Sequence, residues 1–266
     1  TMIGLPSWQG GLEPDTQICL DHLCSYNFVK AQNLVQVKKA AGSMIATNRN
    51  NVIYDAIKSE AKWVLFIDTD MIFPPDSIQQ MQKHGKPVVS GLAFSKTPPH
   101  VPNMYLRIDR CGWTPIVQWK RGELLKVDCT GGAFMLVEVE VFKKLDPPWF
   151  ADPAIKEHIA WEYVSKFIAG EMSERDMGKN IKEAMGELGY GTAEWRKMPV
   201  LGEDYYFCEQ LRRHQIPLHV DTGLEIGHIG KYVYEGINFQ FHKQRGDVDG
   251  MIDKYGFGYK KGVLIE

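Results

Sequence analysis

An α/β sandwich is the architecture this sequence predicts, and three observations predict it. Apolar runs of strand length alternate with stretches of helical periodicity along most of the chain. One of those runs, WVLFI from Trp63 to Ile67, is large and mostly apolar, the pattern of a strand buried on both faces. With 266 residues, 44% of them hydrophobic and 24% charged, the chain has the length and composition of one large globular domain or of a domain with an elaborate insertion.

The elements follow in order. MIGLPSW is a short first strand running into a Pro/Ser loop. DTQICLDHLCSYNF carries apolar residues at roughly helical spacing, with Asp15 or Thr16 as the expected cap. NLVQVKKAAG suits a second short strand. NRNNVIYDAIKSEA sets Val52, Ile53, Ala56 and Ile57 on one face, so an amphipathic helix feeds the strand at Trp63. PPDSIQQMQKHG is a short helix with Gly85 near its end, and PVVSGLAF is another apolar strand. LLKVDCTGGAFMLVEVEVFKKL alternates on both sides of a glycine pair and then turns helical. From about Ala151 to Met198 the chain is polar and helix-like with no strand signal, which reads as an inserted helical subdomain. VLGEDYYFCEQLRRHQ resumes the core as a loop and helix, followed by IPLHVDTGLEIGHIG; from Lys231 the chain reads as a tail lying over the core.

The bulk numbers weigh against some functions. A formal net charge of -2 provides no overall basic field to draw the protein to nucleic acid or membrane. No apolar run approaches the roughly 18–20 residues of a spanning helix, and no signal peptide precedes the first strand. The 5 cysteines are scattered, odd in number and without a CxxC pair, the usage expected of reduced thiols in a cytoplasmic protein. Thr1 ahead of Met2 reads as a cloning remnant.

The strand at Trp63 ends in Asp68-Thr69-Asp70, and Pro74-Pro75 stops it from continuing. In extended chain, residues two apart point to the same side, so two carboxylates converge where a buried strand leaves the sheet. That is costly without a positive partner, and hard carboxylate oxygens suit Mg2+ or Mn2+. A bare pair of this kind also occurs as solvated turn residues. Gly131 and Gly132 mark either a bulge or a place where bare backbone lines a pocket. Gly202-Glu203-Asp204 opens a helix, where acidic residues complement the dipole or stand as a general base at the mouth of a site. His228, flanked by glycine and isoleucine, is either a packed imidazole or a ligand completing a metal site with Asp70. Arg49 is expected at a helix N-terminus, facing solvent or binding phosphate beside orphan backbone N–H groups.

Taken in order, these segments resemble the metal-dependent glycosyltransferases of the GT-A fold. NRNNVIYDAIKSEAKWVLFIDTDMIFPPDSI looks like the helix leading to that family's DxD strand; CTGGAFMLVEVEVFKKL is similar to its glycine-containing loop; LGEDYYFCEQLRRHQIPLHVDTGLEIGHIG looks like its Glu-Asp helix followed by a metal-binding histidine. One departure is Asn48, where the family often has alanine. The resemblance implies a nucleotide-diphospho-sugar transferase sandwich, a mixed and mostly parallel sheet flanked by helices, with a helical insertion. It divides the chain into a nucleotide-sugar-binding part at 1–150, the insertion at 151–198 on the acceptor side, completion of the core at 199–230 and the tail at 231–266. By the same resemblance Asp70, His228 and Asp68 would hold Mn2+ or Mg2+, with Asp68 near the ribose or a metal-bound water. Arg49 would sit near the diphosphate, Pro6 and Ser7 near the base, and Gly131 and Gly132 beside the donor sugar. Glu203 and Asp204 would face the acceptor, Asp204 as base.

The function this implies is transfer of a hexose or pentose from a UDP- or GDP-sugar to an acceptor hydroxyl. Candidate acceptors are a glycan, a small molecule, a protein or, in a phage-like enzyme, modified DNA bases; the tail mixes aromatics with Lys and Arg, a composition compatible with DNA contact. A nucleotidyltransferase is the rival enzyme, but GLPSWQGGLEP lacks the basic residues such enzymes carry after the first strand. A nucleotide-sugar- or carbohydrate-binding module without turnover is the rival from another class, and the acidic set with His228 argues against it.

Overall fold

The structure, a computed structural model, describes residues 1–7, 11–107, 113–151, 166, 170–187, 202–230 and 233–245. Its strands are β1 (Met2–Ser7), β2 (Gln36–Ala41), β3 (Trp63–Ile67), β4 (Met71–Ile72), β5 (Val88–Ala93), β6 (Met104–Arg107), β7 (Trp113–Pro115), β8 (Leu124–Val127), β9 (Cys129–Thr130), β10 (Phe134–Glu138), β11 (Leu218–Ile229) and β12 (Val233–Tyr234). Its helices are α1 (Pro14–Val29), α2 (Ile45–Lys58), α3 (Ser77–Gln82), α4 (Val139–Lys144), α5 (Glu174–Glu187), α6 (Glu203–Arg213) and α7 (Gly236–Gln244).

Strand β3 shows how the layers form. Val64 and Phe66 face a core shared with α2, α4, α6 and α7, through residues such as Val52, Phe142, Phe207 and Phe239. Leu65 and Ile67 face the opposite core, built with Leu20 and Leu23 of α1 and Ile78 and Met81 of α3. The period-two alternation of a strand thus sends successive apolar residues into two helical layers. Each of these four β3 side chains is 0% exposed, and burial of that kind stabilises by about 1.5–3 kcal/mol per large residue. An α/β sandwich results because the strand has no polar face to give to water.

The central sheet runs β12-β11-β5-β10-β3-β1-β2. Strands β2, β1 and β3 are mutually parallel, β10 is antiparallel to β3 and β5, and β5 is parallel to β11. Five strands therefore share one direction with β10 reversed among them, the mixed and mostly parallel sheet that the resemblance implies. A smaller sheet, β7-β6-β9, stands beside it. The twelve-residue β11 shifts register against β5 between Asp221 and Glu225. Its first half pairs with β8, and its last residues pair with β4 and β12. That reach carries one strand from the sheet interior to the end of β3.

Some expectations are corrected in detail. Helix α1 begins at Pro14 with Glu13 as the N-cap, and neither Asp15 nor Thr16 caps it. Proline's fixed φ and missing N–H suit the first helical turn, which starts the helix ahead of both residues. The tail is not merely draped over the core: β12 extends the sheet, and α7 buries Phe239 against Phe94 and Trp119. Within 151–198 the structure describes residues 151, 166 and 170–187, including α5; the rest of that stretch, and 246–266, lie outside the described residues. No helix among the described residues is long and apolar enough to cross a membrane.

Candidate active site

Backbone pairing brings Asp70 and His228 together. Strand β3 is still in the ladder at Asp68, whose N–H donates to Ala133 O at 2.9 Å. The chain then turns, and β4 pairs antiparallel with the end of β11, placing Met71 opposite His228. Ile229 N–H donates to Asp70 O at 2.8 Å and closes the turn. As a result Nε2 of His228 lies 3.5 Å from Oδ1 of Asp70. Nδ1 of His228 stands 3.0 Å from Phe94 O. A carbonyl only accepts, so Nδ1 carries a hydrogen, and Nε2 faces the carboxylate, where a proton or a bound cation would satisfy both atoms. The other carboxylate oxygen, Oδ2, is paired with Nζ of Lys96. Burial pushes the Asp70 carboxyl up, but hydrogen bonds and charge from His228 and Lys96 together hold it below the usual range.

Asp68 takes a different partner. Its Oδ1 accepts from Nη2 of Arg49 at 2.9 Å. Arg49 is 2% exposed; its Nη1 donates to Gly132 O at 2.7 Å, and its Nε forms a 3.4 Å ion pair with Oε1 of Glu203. The guanidinium lies 5.6 Å from the ring centroid of Phe66 and 5.4 Å from that of Phe150. Of the two readings of Arg49, the solvent-facing one is thereby corrected. Arg49 is the fifth residue of α2, on the face that carries Val52, Ile53 and Ala56 inward. A buried cation requires paired carboxylates, which Asp68 and Glu203 supply; the Gly132 carbonyl takes one donor, while Nε pairs with Glu203 by charge and makes no hydrogen bond among the described residues.

The two glycines stand beside this cluster. A Cβ on Gly132 would overlap Nη1 of Arg49, and one on Gly131 would overlap the Asn103 amide. Gly132 therefore depends on bare backbone, because Arg49 is buried and paired, whereas the obstacle at Gly131 is the end of a side chain. Gly132 N–H donates to Oδ2 of Asp204 at 3.2 Å, while Tyr205 N–H donates to Oδ1 at 2.9 Å. Gly202, extended at φ -72 and ψ 177, is the N-cap of α6, so Glu203 and Asp204 leave its first turn toward Arg49 and Gly132. Burial first, and the charge of Glu203 second, push the Asp204 carboxyl up to about 6; Arg49 and the two backbone N–H groups pull the other way. Asp204 nevertheless keeps partial exposure.

Pro6 and Ser7 end β1, both buried, with Pro6 opposite Ala40 of β2. The Asn48 side chain donates to Ser7 O at 2.8 Å and Ser43 O at 2.9 Å, tying the strand end to the loop before α2. The residue that departs from the family pattern thus clamps the end of the first strand.

The structure gathers most of the sequence-predicted residues, but in two groups. Asp70 and His228 form one; Asp68, Arg49, Gly132, Glu203 and Asp204 form the other. Among the described residues no group of three His, Cys, Asp or Glu side chains is placed to hold a metal ion. Of the expected set, Asp70 and His228 stand as a close pair, and Asp68 is turned to Arg49. The pair itself fits a hard cation. Two lone-pair atoms facing each other at 3.5 Å need a proton or cation between them. Neighbouring ligands of a six-coordinate ion at about 2.1 Å are separated by about 3 Å, and Mg2+ ordinarily leaves its remaining positions to water and phosphate. Sequence reasoning missed Lys96, whose only signal is a basic residue just past an apolar strand and before Thr97-Pro98-Pro99.

Comparison with known proteins bears on the first part of the site. A family model described as Anp1 matches residues 25–116, a stretch that includes Arg49, Asp68, Asp70 and Lys96 but not the glycine pair, Asp204 or His228. Over 62 residues, 23% of this chain, the sequence is 37% identical to the mannan polymerase complex subunit MNN9 of Candida albicans; the match spans 17% of that relative's length. Among solved structures, A197 from STIV superposes with a TM-score of 0.48 at 14% identity, covering 86% of this chain and 85% of its own. The mannose-1-phosphate geranyltransferase from Thermus thermophilus superposes at 0.41 and 10% identity, covering 85% and 74%.

Proposed function

We propose that the chain transfers a sugar from a UDP- or GDP-linked donor to an acceptor hydroxyl, with Mn2+ or Mg2+ held by Asp70 and His228. The observation that carries this reading is the His228 imidazole, whose Nδ1 is committed to Phe94 O and whose Nε2 faces the Asp70 carboxylate. A divalent cation bound there supplies Lewis-acid stabilisation of the charge that develops on a departing nucleoside diphosphate. Asp68, fixed by Arg49, lies at the same strand end to receive a ribose hydroxyl or a metal-bound water. Gly131 and Gly132 keep the backbone bare where the donor sugar comes close. Arg49 acts as a positioning residue, pairing with Asp68 and Glu203 and donating to the Gly132 carbonyl.

Asp204 is the proposed base for an inverting transfer. With its carboxyl near 6 it is ionised at neutral pH yet basic enough to take a hydroxyl proton as attack begins. Its two backbone hydrogen bonds fix the carboxylate while leaving each oxygen a further lone pair. Similarity to the Anp1 model and to a mannan polymerase subunit supports the glycosyltransferase reading and gives mannosyl donors and mannose-containing acceptors first place. The test is turnover with a panel of UDP- and GDP-sugars, with and without Mn2+, against water, mannose oligosaccharides and DNA. Metal-dependent release of a nucleoside diphosphate is expected; release of pyrophosphate would instead indicate the nucleotidyltransferase, and binding without release the non-catalytic module.

A further inference from the structure

From the placement of Lys96 we infer that its ammonium is a displaceable counter-ion that couples entry of the divalent cation to capture of the donor diphosphate. This inference rests on the metal-dependent nucleotide-sugar reading above. Lys96 pairs with Oδ2 of Asp70, the oxygen turned away from His228. The stretch that presents it also fixes the histidine, because Phe94 O, two residues earlier, receives the hydrogen of Nδ1. The loop itself is tied down: Ser95 N–H donates to Val101 O at 3.0 Å, Nδ1 of His100 donates to Ser95 O at 2.9 Å, and His100 N–H donates to Thr97 O at 2.9 Å. Movement is therefore assigned to the lysine side chain, which is 41% exposed and carries a flexible four-carbon stem.

A divalent cation between Asp70 and His228 shares a carboxylate that already holds a positive charge. The two cations repel across a half-buried group, where screening is weak. The ion displaces the ammonium, which then turns to the nearest negative charge supplied by substrate, the diphosphate that approaches the metal. Binding of either ligand consequently favours the other, and the coupling is reciprocal. Without nucleotide, Lys96 lowers the affinity for metal; with nucleotide, it raises the affinity of the ternary complex.

The test measures binding by the full chain, independent of turnover. Mn2+ alone is titrated calorimetrically into wild type, Lys96→Met and Lys96→Arg, and UDP and GDP are then titrated at saturating Mn2+. Lys96→Met is expected to bind Mn2+ about tenfold more tightly and the nucleotide about tenfold more weakly, as loss of one charge-assisted contact implies. Lys96→Arg should stay close to wild type in both. Thermal melting checks that each variant folds. An unchanged Mn2+ affinity in Lys96→Met, beside a wild type that binds Mn2+, overturns the inference alone; so does tighter Mn2+ binding with unchanged nucleotide affinity. A wild type that binds no Mn2+, even with nucleotide present, overturns both this inference and the metal-dependent reading.

Discussion

Asp68 and Asp70 leave the same strand two residues apart, and their surroundings are opposite. Asp68 meets a guanidinium that is 2% exposed, bonded to the Gly132 carbonyl and enclosed by Phe66 and Phe150. Asp70 meets looser partners: an imidazole at 3.5 Å and an ammonium on a side chain 41% exposed. The first arrangement is built to stay closed, since removing the cation would strand two carboxylates and a carbonyl. The second is looser, since the Lys96 ammonium reaches Asp70 on an exposed, flexible side chain and His228 stands 3.5 Å away. A pair of carboxylates with i, i+2 spacing is thus not one functional unit. One is locked into the buried Arg49 cluster, and under the proposed function the other faces the ligand.

That contrast can be sharpened by experiments on each side. The largest effect is expected at Asp204, which leans on the closed side through Gly132. Asp204→Asn preserves shape and removes basicity, so kcat should fall by about 10²–10⁴ with donor affinity little changed. Because a base works only when deprotonated, wild-type kcat/KM should rise with pH to a plateau above about 6, and the variant should lose that limb. A product that retains the donor's anomeric configuration, read by NMR, would remove the base role.

Arg49→Met comes next. It deprives Asp68, Glu203 and the Gly132 carbonyl of their cation, and a loss of about 3 kcal/mol is expected in urea unfolding. Gly132→Ala probes the same contact from the other side. Its methyl group would overlap Nη1 of Arg49, and overpacking of this kind costs about 1–3 kcal/mol. If either variant unfolds at the wild-type midpoint, the closed side is not structural. The smallest change in stability is expected at His228→Ala, within about 1 kcal/mol, because the ring is partly exposed and its hydrogen bond to Phe94 O is single. Its effect should appear in Mn2+ affinity instead, and a variant with wild-type metal affinity would make His228 a packing residue.

The looser side is more legible in the sequence than the closed one. WVLFI announces a doubly buried strand because every position is large, and the aspartates beyond it stand out against that background. His228 is linked to Asp70 only through the order of motifs in a resembling family; the direct cause, pairing of β4 with β11, leaves no periodic trace in a two-residue strand. Arg49 is misplaced for a related reason. Its burial depends on Phe150, Gly132 and Glu203, which lie far along the chain, whereas local rules see only a basic residue near a helix start. Lys96 is invisible because one lysine in a Pro-containing loop has no pattern at all. Helix α1 shows the same limit on a small scale: the capping preferences of Asp15 and Thr16 give way to Pro14.

The division of labour between Asp68 and Asp70 makes its most direct claim about nucleotide binding. UDP and GDP binding should be followed by thermal shift in Mn2+, in Mg2+ and in excess EDTA, for wild type and for Asp70→Asn. A nucleotide-dependent rise in Tm that needs the metal and is lost in Asp70→Asn, with the variant's nucleotide-free Tm close to wild type, is the expected result. An undiminished shift in EDTA, or an Asp70→Asn variant that still binds metal and nucleotide as wild type does, would contradict it.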